Sequence, residues 1–363
     1  MKEPMAHRTH RIAVIAGDGI GQEVIPVGLN ILKKVASRCG FILDPTEFPW
    51  GCEFYTKNRR MMDADGFERL ATFDAIYFGA VGHPSVPDHI SVWELILPIR
   101  QRFDQYVNLR PMRLLPGVAC PLKNRSAADI DMICVRENSE GEYAGSGGRV
   151  HVGTPHEIAE QTSIFTRAGI ERIVRYAFEL ARRRPRKLLA SATKSNALQF
   201  SMVLWDQVVE ALQKEYPDVT CRKYYVDALC ARMITHPQTV DVIVASNLFG
   251  DILTDLGAAV SGSLGLAASG NINPERRFPS MFEPIHGSAP DIAGRGIANP
   301  IGAIWAGALM LQHLGEVDAH DLIVDAISKA LAGGRELTPD LGGKGTTKDL
   351  GDAIISEVNQ IRD

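Results

Sequence analysis

The chain has 363 residues, 45% hydrophobic and 23% charged, which is material for about two domains, each with its own core. With 39 lysines and arginines against 43 aspartates and glutamates the net charge is −4, so no broad positive field exists to hold a nucleic acid or an acidic membrane surface, and neither is expected as a partner. The longest apolar stretch, residues 301–311, falls short of the ~18 to 20 residues that cross a bilayer and contains Gly302 and Gly307; a buried helix is predicted there.

Residues 1–11 are polar and basic, and the apolar run behind them, 12–16, is too short for a signal-peptide core, which gives the expectation of a cytoplasmic protein. From there, short apolar runs alternate with amphipathic stretches: 12–16 then 22–37; 75–78; 130–135; 187–190 then 197–215; 240–245 then 252–260. Period-two runs alternating with 3.6-period runs predict an α/β fold. Residues 140–162, rich in Gly, His, Thr and Glu, break the alternation before a long helix predicted over 167–184. They read either as a surface loop or as an arm between subunits. The six cysteines (39, 52, 120, 134, 221 and 230) include no C-x-x-C, so neither a disulfide framework nor a zinc cluster is expected.

The first βα junction reads IAVIAGDGIGQEV, with Gly17, Gly19 and Gly21. A dinucleotide-binding Rossmann loop needs G-x-G-x-x-G; here the third glycine comes one residue early, and the candidate acid of a second strand, Asp44, precedes Pro45. A tight βα turn is the better reading.

Further along, VIVASNLFGDILTDLGA sets Asp251 and Asp255 four residues apart on a helix predicted to begin after Gly250, so both carboxylates leave one face. A hard divalent cation would offset their repulsion. Equally, Asp251 in a first turn would be favoured by the helix dipole with Asp255 solvated, and the pair alone does not decide. Arg100, Arg110 and Arg136 are the cationic counterpart. Arg136 ends an apolar strand, where a guanidinium is costly unless it meets a carboxylate or phosphate, so a small acid is the implied ligand. Arg182, Arg183, Arg184 and Arg186 straddle Pro185 at a helix end and are expected on the solvated surface. Lys194, between strand and helix in SATKSNAL, is a candidate proton carrier, and Tyr143 a candidate acid; by position alone each is as readily an ordinary residue.

Together these segments resemble the β-decarboxylating dehydrogenases, the family of isopropylmalate, isocitrate, homoisocitrate and tartrate/D-malate dehydrogenases, over nearly the whole chain. The resemblance is carried by GDGIG (17–21), Arg100 with NLRP (108–111), RENSEGEY (136–143), TKSN (193–196), SNLFGDILTDL (246–256) and above all EPIHGSAPDIAGRGIANP (283–300). It implies an α/β isopropylmalate dehydrogenase-like fold, not a Rossmann fold. Two α/β domains are implied: a discontinuous NAD-binding domain (1–105 and 262–363) and a substrate, metal and dimerisation domain (106–261) with an intersubunit arm (140–162).

The same resemblance implies that Arg100, Arg110, Arg136, Tyr143, Lys194 and Asn196 bind substrate, and that Asp227, Asp251 and Asp255 bind Mg²⁺ or Mn²⁺, with K⁺ as a further cation to consider. Tyr143, Lys194 and Asp227 would be catalytic. Lys194 and Asp227 would reach the site from the neighbouring subunit, making the protein a homodimer with shared active sites. Trp93, His286, Gly287, Ser288, Ala289, Asp291, Ile292, Asn299 and Asp340 would contact NAD, with Asp291 and Ile292 in the pattern of the NAD-using members, since a carboxylate there repels a 2′-phosphate. The implied chemistry removes the hydroxyl proton through Lys194, passes a hydride to NAD, releases CO₂ from the β-keto acid and protonates the resulting enolate from Tyr143.

For substrate, FDQYVNLRP, DALCARM and NINPERRFPSMFEP look closest to the tartrate/D-malate branch, which implies oxidation of tartrate and oxidative decarboxylation of D-malate, a small dicarboxylic 2-hydroxy acid. The specificity segment SVWELILPIR is mixed: Ile96 and Leu97 suit a branched alkyl group, as in isopropylmalate dehydrogenases, the runner-up, whereas Trp93 stands where those enzymes commonly carry an acid. A regulatory subunit without turnover would have lost an acid, Lys194 or Tyr143, and all are present.

Overall fold

A computed structural model describes residues 8–361, the side chain of Asp88 excepted. Residues 1–7 lie outside the described residues, and with them most of the polar start on which the expectation about location rested. The twelve strands among the described residues are β1 (Arg8–Gly17), β2 (Phe41–Glu47), β3 (Ala75–Ala80), β4 (Val107–Arg113), β5 (Asp131–Glu137), β6 (Gly141–Val150), β7 (Ile158–Ile164), β8 (Leu188–Thr193), β9 (Thr220–Tyr225), β10 (Val242–Ala245), β11 (Ala268–Ile272) and β12 (Ser280–Pro284). The chain divides into two compact units, one of residues 1–105, 114–123 and 258–363, the other of residues 106–113 and 124–257.

In the first unit β1 pairs in parallel with β2 and β3, β3 pairs in parallel with β12, and β11 closes on β12 antiparallel. β2 runs straight through Pro45, so a second strand does exist where the sequence argued against one. The reason is its place at the sheet edge, where proline's missing N–H leaves no ladder bond unmade. The helix Gly21–Cys39 buries Val24, Ile25, Leu29, Leu32, Val35 and Ala36, an i, i+3, i+4 stripe, and stops at Gly40, whose left-handed backbone returns its N–H to the Ala36 carbonyl. The apolar stretch at 301–311 lies in the helix Ile301–Leu314 and is buried throughout; Tyr77 Oη donates to the Ala303 carbonyl at 2.8 Å.

The GDGIG turn is tight. Gly17 and Gly19 have φ of 72° and 53°, and a Cβ on either would come within 1.9 Å of the Ala80 carbonyl oxygen or 2.1 Å of the Ser288 carbonyl oxygen. The buried Asp18 carboxylate accepts from the N–H groups of Cys52 (2.9 Å) and Gly82 (3.0 Å), locking the turn to the start of the helix Cys52–Asn58 and to the segment just after β3.

Residues 114–123, which the sequence reading assigned to the second domain, pack within the first unit. Leu114 and Leu115 are buried, Gly117 lies against the Leu331 carbonyl, and Val118 fills the space beside Gly262, so burial of these apolar groups draws the segment back. The return crossing falls at 257/258 rather than 261/262, because the last turn of the helix Asn247–Val260 belongs with the first unit.

In the second unit β5, β10, β8 and β9 run parallel and β4 pairs antiparallel with β5. The helix Arg167–Arg183 opens on Thr166, whose side chain accepts from the Gly169 N–H, and buries Ile170, Ile173, Val174, Ala177 and Phe178. The non-helical stretch at 140–162 contains most of the antiparallel hairpin of β6 and β7, and every residue of β7 is exposed. The arginine cluster differs from expectation. Arg184 Nε and Arg186 Nη2 meet Asp241 at 2.5 and 3.1 Å, and the Asp241 side chain is wholly buried, so two of the four cations are committed to an interior carboxylate rather than to water.

All six cysteines are free, and burial pushes the thiols of Cys52, Cys134 and Cys221 up to about 12, which leaves them unreactive. No helix among the described residues is long and apolar enough to cross a membrane.

Candidate active site

The second unit gathers one group of the expected site residues. Arg110 on β4 and Arg136 on β5 face the helix Asn247–Val260, which carries Asp251 and Asp255. That helix starts at Asn247, not after Gly250. Asp251 therefore lies in the second turn, and stabilisation by a first-turn dipole does not account for it. Gly250 lets the helix approach: a Cβ there would sit 2.5 Å from Arg136 Cγ.

Arg136 Nη1 donates to Asp251 Oδ1 at 2.5 Å, and Arg110 Nη1 reaches the same oxygen at 3.3 Å and Thr254 Oγ1 at 2.6 Å. Both guanidiniums are almost fully buried, whereas the Asp251 side chain is 37% exposed, so one carboxylate offsets part of their charge while keeping an edge toward solvent. Arg136 Nε and Nη2 both donate to Asn247 Oδ1, at 3.1 and 2.8 Å. Tyr143, on β6, brings its hydroxyl 3.3 Å from Asp251 Oδ2; burial first, and then the Asp251 charge, raise its pKa, which keeps it protonated and able to donate. Asp255 is raised as well, by burial and then by Asp251, the mark of two carboxylates sharing a face.

Lys194, following β8, lies 2.8 Å from Asp227 Oδ2 in the first turn of the helix Val226–Thr235, and this contact holds the Asp227 carboxyl below its usual range. Asn196 is exposed in the turn just beyond. Among the described residues no three His, Cys, Asp or Glu side chains are grouped to hold a metal, so Asp227, Asp251 and Asp255 do not form one cluster within a single chain.

In the first unit Arg100, in the last turn of the helix Leu97–Arg102, donates from Nη2 to Glu283 Oε1 at 2.7 Å, and Asn271 Nδ2 donates to the same oxygen at 2.7 Å. Trp93 lies on a π-helical turn, Val92–Ile96, and is 39% exposed. Among the residues expected to meet NAD, Asn299 Nδ2 donates to Asp340 Oδ2 at 2.9 Å, and Ser263 Oγ donates to that oxygen at 2.6 Å. His286 lies within the electrostatic reach of Asp340, yet burial lowers its pKa, and its buried Nε2 has no hydrogen-bond partner among the described residues. Ser288 is buried and its carbonyl accepts from the Ile20 N–H; Gly287 and Asp291 are exposed; Ile292 closes a turn on the carbonyl of Ala289, which has φ of 41°.

Sequence reasoning did not single out Asn247, Thr254, Ser263, Asn271 or Glu283. All are close to quoted motifs or inside them, but a polar partner of a charged side chain has no spacing of its own to betray it.

Residues 11–354 match the family described as isocitrate/isopropylmalate dehydrogenase. The chain is 56% identical over 354 residues to a D-malate dehydrogenase (decarboxylating) of Escherichia coli, covering 96% of this chain and 98% of that one. It is 52% identical to a tartrate dehydrogenase/decarboxylase of Pseudomonas putida, again covering 96% and 98%. Among solved structures, an isocitrate dehydrogenase from Methylococcus capsulatus superposes with a TM-score of 0.87 at 35% identity, covering 97% of this chain and all of that one. These matches agree with the fold and the branch expected from the motifs, and the chain belongs to the isocitrate/isopropylmalate dehydrogenase family.

Proposed function

We propose that the protein is an oxidoreductase acting on the CH–OH group of a small dicarboxylic 2-hydroxy acid, with NAD and Mg²⁺ or Mn²⁺. It takes D-malate by oxidative decarboxylation to pyruvate and CO₂, and it oxidises tartrate. The observation that carries this reading is the convergence of Arg110, Arg136 and the Tyr143 hydroxyl on the single carboxylate of Asp251. Relatives named for D-malate and for tartrate, at 56% and 52% identity, support the choice of substrate.

The residues fit the groups the family uses. Asp251 and Asp255 offer hard oxygen donors from one helix face, the donor class that Mg²⁺ and Mn²⁺ take, and K⁺ remains a further cation to test. The Nε2 of His286, without a partner among the described residues, together with Asn299 and Asp340, suits the polar edge of a nucleotide base, while the exposed Asp291 and neighbouring Ile292 suit a ribose without a 2′-phosphate. When bound, the cation would supply Lewis acidity at the substrate hydroxyl oxygen and NAD would supply the hydride acceptor.

The chain's own residues do the rest. Arg100, Arg110 and Arg136 bind and orient the substrate carboxylates, and Asn196 also binds the substrate. Lys194, in its neutral form, takes the hydroxyl proton through a water, and Tyr143 delivers a proton to the carbon left after CO₂ departs. We assign NAD binding, including Trp93 at the nicotinamide end, to the first unit, residues 1–105, 114–123 and 258–363. Metal binding and, apart from Arg100, substrate binding fall to the second unit, residues 106–113 and 124–257, with the hairpin at 140–162 as the intersubunit arm of a cytoplasmic homodimer. Lys194 and Asp227 then serve the neighbouring site, which supplies the third metal acid.

The isopropylmalate alternative loses part of its support from the packing: Leu97 is buried, whereas Ile96 packs against the hydrophobic core but is only partly buried. The reading is tested by kcat/KM with NAD and Mn²⁺ over D-malate, the tartrate isomers, isopropylmalate and isocitrate. D-malate or a tartrate is expected to rank first, and no NADH formation with any of them overturns the reading.

A further inference from the structure

We propose that Asn247 is a positioning residue that couples the two ends of the reaction: its carbonyl oxygen orients Arg136 for the substrate carboxylate, and its amide nitrogen anchors the turn that leads into the strand carrying Tyr143. The inference rests on the function proposed above and adds a residue that does not itself touch the reacting atoms.

The geometry is closed on every side. Asn247 is 1% exposed and opens the helix that carries Asp251. Its Oδ1 accepts from Arg136 Nε at 3.1 Å and Nη2 at 2.8 Å, while its Nδ2 donates to the Glu140 carbonyl at 3.0 Å. A guanidinium only donates and a peptide carbonyl only accepts, so a primary amide satisfies both in one orientation alone, oxygen toward the arginine and nitrogen toward the turn. An aspartate has no donor for Glu140, and a serine is too short to span the two.

Charge explains why the partner is neutral. One edge of the Arg136 fork is fixed by Asn247, and Nη1 on the other edge is turned toward Asp251. A carboxylate in place of the amide would hold the guanidinium as well but would add a second negative charge to that of Asp251, leaving less positive charge for an anionic substrate.

The turn that Asn247 grips is stiff, so a displacement at one end travels. The Glu137 carboxylate accepts from the N–H and hydroxyl of Ser139 and from the N–H of Glu140, and the Glu140 carboxylate accepts from the N–H and hydroxyl of Thr166. Gly141, at φ of 75°, lies close enough that its Cβ would be 3.3 Å from that of Asn247, and Tyr143 follows two residues later.

The experiment compares the full-length wild type with Asn247→Ala and with the isosteric Asn247→Asp, which refills the same space. D-malate binding in the presence of Mn²⁺ is measured by calorimetry, alongside kcat and the KM for D-malate and for NAD. For Asn247→Ala we expect D-malate affinity and kcat each to fall by about tenfold or more, with the KM for NAD changed by less than about twofold. In the double variant with Arg136→Lys, removal of Asn247 should add little to the loss in affinity already caused by Arg136→Lys. For Asn247→Asp we expect a folded protein whose D-malate affinity is also lowered about tenfold, because the added charge offsets Arg136. Wild-type affinity and kcat in either folded variant, or fully additive losses in the double variant, overturn the proposal. A wild type that neither binds nor oxidises any hydroxy diacid removes the functional reading and this role together; a working wild type with unaffected Asn247 variants removes this role alone.

Discussion

Lys194 Nζ lies 2.8 Å from Asp227 Oδ2, so the amine and the acid assigned to the reaction are presented by each chain as one ion pair. If that pair serves the site of the opposite protomer, a Lys194→Met chain and an Asp251→Asn chain, each inactive alone, form mixed dimers with one intact site. Random mixing should restore about a quarter of wild-type activity. Purified mixed dimers with no activity would refute sharing.

Asp251 holds both buried arginines of the second unit, yet its own side chain is partly exposed. Asp251→Asn keeps the shape and removes the charge. We expect kcat at saturating Mn²⁺ to fall by about a hundredfold or more with the circular dichroism spectrum unchanged. Wild-type kcat would take the aspartates out of the mechanism.

Asp291 is exposed beside Ile292. Replacing its carboxylate by alanine removes a charge that would repel a 2′-phosphate, so the ratio of kcat/KM for NAD over NADP should fall about tenfold. An unaltered ratio would mean that the ribose contact lies elsewhere.

Stability should also depend on pH through His313. Its ring packs against Phe282, and Ser280 Oγ lies 3.1 Å from its Nε2; burial, and then the charge of Arg276, pull its pKa from 6.5 down to about 4. Above pH 6.5 the ring is neutral folded or unfolded. Between 6.5 and 4 the unfolded chain takes up the proton and the folded one does not, so stability falls as pH falls, by up to about 3 kcal/mol from this group. The urea midpoint of wild type should drop over that window more steeply than that of His313→Gln; parallel curves would contradict the assignment.

The Asp241 carboxylate is wholly buried between Arg184 and Arg186. Asp241→Ala should cost about 3 to 5 kcal/mol, read as a lower urea midpoint, while leaving the KM for the hydroxy acid as in wild type. A loss below about 1 kcal/mol would return the cluster to the category of solvated surface charge.

The alternation of apolar runs located the major helices because burial on one face imposes a 3.6 period, as in Gly21–Cys39 and Arg167–Arg183. β7 escaped because all of it is exposed and no alternation is required, and β2 because Pro45 argues against a strand everywhere except at an edge. In the site, the long motifs brought Arg110, Arg136, Tyr143 and Asp251 to attention, and they do meet. Glu283 did not stand out, although it fixes Arg100, because the two are 183 residues apart and nothing local marks an ion pair. Arg184 was misjudged for a similar reason: Pro185 signals a helix end, which is commonly wet, and its buried partner Asp241 lies far along the chain.

The pairing of β3 with β12, Ala75 opposite Ser280, has a bearing on synthesis. The three amino-terminal strands leave the ribosome long before the strand that completes their sheet, whereas residues 124–257 emerge as a continuous run. The unit interior to the sequence is thus the earlier one able to mature, and the nascent first unit must wait with an open β3 edge until β12 arrives, the interval in which a chaperone would have most to protect.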